Sequence, residues 1–230
     1  KIKKEEEHQL VEEIKKINIR PTIINMKQKI IDILTIDNYT NYQNGNLVTE
    51  FYPDKKIQDV SSVSIDDYHA SELYKKIDTT DEESVAYFER IIRSYENFID
   101  FLKNDEVVID YQYLWDIICI PNKKLFPTGL NLIIFEIPED DSTGNVELIC
   151  PTNHYSSNNY SGDKQKLIVI KKNNFFEPIY LYNNLTKQVK RLFREADITR
   201  YGKSDIANAL KHVRDYLGKK CKPLHSMPKI

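Results

Sequence analysis

Glycine is scarce in this chain, six residues in 230, and none falls in a GxxxxGKS/T or GxGxxG pattern. A phosphate-cradling loop needs several closely spaced positions free of Cβ atoms, so nucleotide-driven chemistry is not expected. Cysteine is scarcer still. Cys119, Cys150 and Cys221 lie far apart with no CxxC pair, which speaks against a structural zinc site or a disulfide framework and for a reducing compartment. The five histidines, His8, His69, His154, His212 and His225, are as scattered; no metal-ligand spacing arises, and neither a metal nor another cofactor is expected. No stretch approaches the ~18–20 consecutive apolar residues of a membrane span. With 40% hydrophobic residues and a mean hydropathy of -0.55, the composition is that of a soluble intracellular chain able to bury a sizeable core. The chain opens Lys1-Ile2-Lys3-Lys4-Glu5-Glu6-Glu7, without Met or an apolar leader, and is therefore expected to be cut from a longer polypeptide or stripped of its leader.

Charge is present in both signs but unevenly placed. From residue 161 onward there are 16 Lys and Arg against 6 Asp and Glu, a surplus of 10, whereas residues 1–160 hold 17 against 29 and are 12 negative. A basic tail on an acidic body is compatible with nucleic-acid binding, or with charges that simply solvate two C-terminal helices. Usage leans toward Lys, Asn, Ile and Tyr, with 15 Tyr, residue types whose codons are AT-rich.

Hydrophobic periodicity predicts an α+β fold. Residues 5–18 set Leu10, Val11, Ile14 and Ile17 on one helical stripe, and Pro21 suits the first turn of a second helix carrying Ile23, Ile24, Ile30, Ile31 and Leu34. Residues 1–36 are thus N-terminal helices. Residues 37–78 form a loop-rich connector punctuated by Asn44-Gly45 and Pro53. Residues 79–230 form an α+β core domain, the three parts together making one compact unit. Its clearest helix is 81–103, where Thr80 and Glu83 have capping-box spacing and Val85, Phe88, Ile92, Tyr95, Ile99 and Leu102 follow a 3–4 repeat. Asp110 is placed to cap a short helix that ends before Pro121.

Four apolar runs then predict a central sheet of about four strands within 130–182, flanked by helices: Leu130–Ile137, Val146–Cys150, Leu167–Lys171 and Phe175–Tyr182. The unbroken Leu132–Phe135 and Leu167–Ile170 runs suit central strands buried on both faces, and Lys172-Asn173-Asn174 suits a tight hairpin. Two basic helices, Thr186–Ala196 and Asp205–Leu217, close the pattern, with Gly218 as C-cap.

Three constellations bear on chemistry. The carboxylates Asp66-Asp67, Asp140-Asp141, Glu136 and Glu147, with Lys166 and Lys171, make no (D/E)xK triplet on a strand and read as solvated charges rather than a Mg²⁺ site. Cys150 and His154 flank Pro151 with no sign of the helix terminus that would activate a thiol, so a structural cysteine is expected. Lys187, Lys190, Arg191 and Arg194 recur at helical spacing, and Lys211, Arg214, Lys219, Lys220 and Lys222 extend the basic surface. They are the candidate phosphate contacts, for electrostatic and non-specific binding.

Several segments taken together resemble a family of uncharacterised proteins of large, mimivirus-like DNA viruses. They are Tyr95-Glu96-Asn97-Phe98, Ile109–Asp116, Leu130–Glu136, Val146–Ser156 and Phe176-Glu177-Pro178-Ile179-Tyr180. That resemblance spans roughly residues 80–230 and implies a host-cytoplasm or virion location. The order of elements also resembles the C-terminal half of ovarian-tumour (OTU) type cysteine proteases, in which a His near the last strand serves as base for the cysteine. Here Phe175-Phe176 stands where the family often has His-Tyr, and Asn44-Gly45-Asn46-Leu47 loosely matches the Asp-Gly-Asn-Cys nucleophile motif with Leu47 in the nucleophile's place. The resemblance implies a degenerate fold with no catalytic residues. It would be a pseudoenzyme that binds a host or viral protein partner, with nucleic-acid binding as an alternative and an active deubiquitinase or cysteine protease as a third. It also raises a geometric question, whether Leu47 and Phe175 face each other across a groove.

Overall fold

The computed structural model describes residues 20–52, 64–138, 146–149, 161–194 and 196–197. The helices expected over 5–18 and 205–217, together with Cys150, His154, Lys211, Arg214, Lys219, Lys220, Lys222 and Cys221, lie outside the described residues.

Helix α1 (Arg20–Ile31) carries Pro21 in its first turn, where the missing N–H costs nothing. Its inward residues are Lys27 and Ile30, joined past the helix end by Ile33 and Leu34, whereas Ile23, Ile24 and Met26 are exposed. Helix α2 (Ile36–Tyr39) starts on a reciprocal capping box between Thr35 and Asn38. The chain then turns through Gln43, Asn44 and Gly45, all at positive φ, into helix α3 (Asn46–Glu50). Residues 37–52, within the segment the sequence pattern makes a connector, place Tyr39, Tyr42 and Leu47 in the core.

Helix α4 (Glu82–Lys103) is capped by Asp81, whose carboxylate accepts the Ser84 N–H at 3.0 Å. Thr80 is not the cap; both its N–H and its hydroxyl bond to Asp78. The buried stripe is Phe88, Ile91, Ile92, Ser94, Phe98 and Leu102, rotated slightly from the expected one, so that Val85 and Ile99 lie at its margin. Helix α5 (Tyr111–Cys119) is capped by Asp110 as expected. It serves two cores at once. Ile117 joins the helical cluster of Tyr39, Leu47, Phe98 and Leu102, while Trp115 and Cys119 pack on Leu132 and Ile134 of the sheet.

The sheet is mixed, in the order β2 (Glu147–Leu148), β1 (Leu130–Ile137), β3 (Gln165–Lys172), β4 (Phe175–Pro178), with β7 (Leu192–Phe193) also pairing with β3. Strands β1 (Leu130–Ile137) and β3 (Gln165–Lys172) run parallel in register from Leu130↔Gln165 to Ile137↔Lys172. Strand β2 (Glu147–Leu148) lies antiparallel on β1. Strand β4 (Phe175–Pro178) returns from β3 through the two-residue Asn173-Asn174 turn, with Asn173 at positive φ. The architecture is thus α+β, a central mixed sheet of about four strands flanked by helices.

The last part of the chain departs from expectation twice. The fourth apolar run is broken at Pro178, which has no N–H for a ladder, into β4 and β5 (Leu181–Asn183). The basic helix expected over Thr186–Ala196 is not formed. Strands β6 (Gln188–Lys190) and β7 (Leu192–Phe193) occupy that span, because pairing Leu192 and Phe193 with Leu167 and Lys166 buries the Phe193 ring. Tertiary pairing overrides the helical spacing of the charges.

Buried lysines close helix ends. Lys27 Nζ donates to the carbonyls of Asn104 and Val107 just past α4, at 2.7 and 3.2 Å, and Lys164 Nζ to that of Cys119, the last residue of α5, at 2.8 Å. Each cation meets the negative end of a helix dipole. Gly129, at φ +68°, passes so close to α5 that a Cβ there would stand 2.2 Å from the Cys119 oxygen.

Candidate functional site

The excursion between β4 and β7 is built from local turn chemistry. Asn183 Oδ1 accepts the N–H groups of Leu185 and Thr186 at 2.9 and 3.2 Å, an Asx-type turn. Lys187, at φ 57°, then returns its N–H to the Asn183 carbonyl at 2.8 Å. The result is a two-stranded hairpin, β5 against β6, in which Leu181 faces Lys190, Tyr182 faces Val189 and Asn183 faces Gln188. Its base is fixed to neighbouring residues of β3. Ile179 N–H bonds to the Ile168 carbonyl at 2.9 Å, and Leu192 pairs with Leu167. Everything between stands away from the main sheet.

Such a hairpin is marginal on its own, since two strands bury too little to offset their ordering. Here apolar side chains point outward instead of inward. Leu185 at the tip is 94% exposed and Phe175 on β4 is 76% exposed, and Phe176, Tyr180, Tyr182 and Val189 are also exposed. Tyr182 and Val189 share one face of the hairpin by register. Lys187 Nζ lies 5.9 Å from the centre of the Tyr182 ring, within cation–π range. Lys190, Arg191 and Arg194 follow on the descending arm, all exposed. Among the described residues Asp197 is the local counter-charge: it meets Lys190 Nζ at 2.5 Å and accepts the Arg194 N–H at 2.7 Å, and the Lys190 bond first, then the Arg194 one, holds its carboxyl below the usual range. Tyr182, Asn184, Val189, Lys190 and Asp197 line an open, largely polar depression.

A second constellation sits at the C-terminal ends of the parallel strands. Register places Glu147, Glu136, Lys171 and Phe176 in one row across β2, β1, β3 and β4. Glu136 and Lys171 form a half-buried ion pair, which raises the lysine's proton affinity. The Phe176 ring rests 5.9 Å from Tyr111 at the start of α5. Among the described residues no group of three or more His, Cys, Asp or Glu could hold a metal ion. Lys166, the other lysine of that expectation, is almost fully buried and donates to the Gly162 carbonyl at 3.2 Å.

The two positions where the OTU resemblance would put a nucleophile and a base are far from equivalent. Leu47 is fully buried, and its carbonyl accepts the Tyr39 hydroxyl at 2.9 Å within a network that includes Ser94. Phe175 sits at the solvent-facing end of the β3–β4 hairpin. They do not face each other across a groove. Cys119 is buried under the sheet, and burial pushes its thiol up to about 11, the opposite of what a nucleophile needs.

The structure therefore brings Lys187, Lys190, Arg191 and Arg194 together along one hairpin arm and its exit. The same hairpin holds Tyr182, Leu185 and Val189 exposed, with Tyr180 exposed at its entry. The Asn183-Asn184 pair followed by the alternation Gln188, Val189, Lys190 is the sequence signal that points to this hairpin. Among the described residues no helix is long and apolar enough to cross a membrane. No protein-family model, curated protein or solved structure matches the chain.

Proposed function

We propose that the chain is a non-catalytic interaction domain, and that it docks its partner through the β5–β6 hairpin. One observation carries this reading: a hairpin anchored at both ends on β3 holds Tyr182, Leu185 and Val189 in solvent. A free-standing ribbon with exposed apolar residues is poor economy for folding alone, and aromatic residues beside Arg are the composition of interface centres. In the same proposal the domain belongs to a large-DNA-virus protein and descends from an OTU-like protease that has lost its chemistry. Supporting that, Leu47 is sealed in the core and the thiol of Cys119 is buried and proton-retaining.

Two measurements test it. A ubiquitin-based electrophilic probe should leave the full chain unlabelled; labelling abolished by Cys119→Ala, Cys150→Ala or Cys221→Ala overturns the non-catalytic reading. Affinity isolation should recover partners with the wild-type chain that a Tyr182→Ala, Leu185→Ser, Val189→Ser variant loses while keeping its thermal midpoint. An unchanged set overturns the docking surface.

A further inference from the structure

We propose that the partner of the hairpin is a single-stranded nucleic acid, held by stacking on its exposed rings and by phosphate contacts from its basic arm. This rests on the reading of the hairpin as a docking surface and names the chemistry that surface fits. Between Pro178 and Arg194 the chain contains Lys187, Lys190, Arg191 and Arg194 and no Asp or Glu. An apolar protein partner would need no such charge. The flanking acidic residues are Glu177 on β4, which is exposed, Glu195, which follows Arg194 in the chain, and Asp197, which is engaged by Lys190 and the Arg194 N–H. Residues 178–194 thus carry four positive charges and no negative one, and with the flanking acids counted 177–197 is still one positive. Charge and rings are interleaved rather than segregated. Lys187 stands over Tyr182, Lys190 is in register with Leu181, one residue from the Tyr182–Val189 pair, and Lys172 pairs with Phe175 at the neighbouring turn.

Aromatic faces beside cations at strand spacing are the arrangement that binds single strands: the rings take up unstacked bases and the cations follow the phosphates. A duplex hides its base faces in the stack, so the tyrosine rings would have no role there. The depression lined by Tyr182, Asn184, Val189 and Lys190 gives a base a place beside the ring, with amide groups of Asn184 and Gln188 at its edge. Nothing in this set reads one base against another, so little sequence preference is expected.

The test is fluorescence anisotropy of the full chain with labelled oligo(dT) and oligo(rU) of about 12 nucleotides, within the site sizes such surfaces span, and with a duplex of the same length. Three phosphate contacts, one each from Lys187, Arg191 and Arg194, predict a loss of about 20-fold in single-strand affinity between about 50 and 200 mM salt. Tyr182→Ala should weaken binding about tenfold at fixed salt, the worth of one stacked base. Arg191→Glu with Arg194→Glu should abolish binding at either salt concentration, with circular dichroism unchanged. Duplex binding as tight as single-strand binding overturns the inference, as does binding that survives the charge reversal, since the strand then lies elsewhere. No oligonucleotide binding by the wild-type chain overturns it too. That outcome is distinct from failure of the docking surface, which is judged by whether the hairpin variant loses its isolated partners.

Discussion

Asp116 sits on α5 where its carboxylate accepts the backbone N–H of Gln43 at 2.6 Å, holding a turn in which Gln43, Asn44 and Gly45 all have positive φ. A left-handed non-glycine backbone costs about 1–2 kcal/mol per residue, so the turn needs such anchors, and Gln43 Nε2 adds one to the Gln112 carbonyl at 3.0 Å. The carboxyl is held above its ordinary 3.8, because desolvation outweighs the Gln43 bond. The sign follows directly. Between 3.8 and the raised folded value the native state binds more protons than the unfolded one, so this group's contribution to stability falls as pH rises through that window. Wild type should therefore lose stability relative to Asp116→Asn as pH climbs from 3.8 toward neutrality, measured by urea denaturation at each pH. The opposite slope would mean that the Gln43 bond dominates. Of this site the sequence shows Asn44-Gly45 as a turn and nothing of Asp116, whose partner is 73 residues away. Local chemistry is readable where it is made by neighbours in the chain and hidden where a distant group completes it.

Elements separate along the same line. Strands β1 and β3 and helices α4 and α5 appear in the sequence because burial imposes a period on them, and their bounds agree with the pattern to within two residues. The cap of α4 does not: Thr80 and Glu83 have the right spacing, yet Asp81 makes the bond to Ser84 N–H and Thr80 turns back to Asp78. Both are plausible caps from sequence, and only geometry selects one. Removing the real cap should cost about 1 kcal/mol, so Asp81→Ala should lower the urea midpoint accordingly, whereas Thr80→Ala should stay within about 0.5 kcal/mol of wild type as a surface change. Reversal of that order would restore the capping box. The β5–β6 hairpin escaped the helical reading for a related reason. Val189, Leu192 and Phe193 have helical spacing, but Phe193 is buried by β3 and Val189 is not buried at all. A periodicity count cannot tell a residue covered by its own helix's neighbours from one covered by a strand.

At the scale of the whole molecule the sequence marks β1 and β3 as central and β3–β4 as a hairpin, but not the parallel β1–β3 pairing, which joins segments 35 residues apart with β2 between them in sequence. It nevertheless sets how stability is distributed. The parallel pair is covered by Trp115 and Cys119 of α5 on one face, and Ile133 and Ile168 are also fully enclosed, so opening it exposes much of the sheet core. None of the hairpin's own strand residues is buried, so its opening exposes little apolar surface of its own. Local opening free energies in proteins run from near zero to the global value, following buried contacts of this kind. Native-state amide exchange should accordingly be slowest at Ile133, Ile134 and Ile168 and fastest, among paired strands, at Tyr182 and Val189. A ligand that occupies the hairpin adds the contacts it lacks, so saturating oligo(dT) should slow exchange across 181–190 and leave β1 and β3 unchanged. If slowing instead spread through β1 and β3 while the hairpin stayed fast, the bound strand would be stabilising the sheet core and not the ribbon. Equal protection of hairpin and core in the free protein would be as damaging, for it would mean that the hairpin is already covered and has no face left to offer.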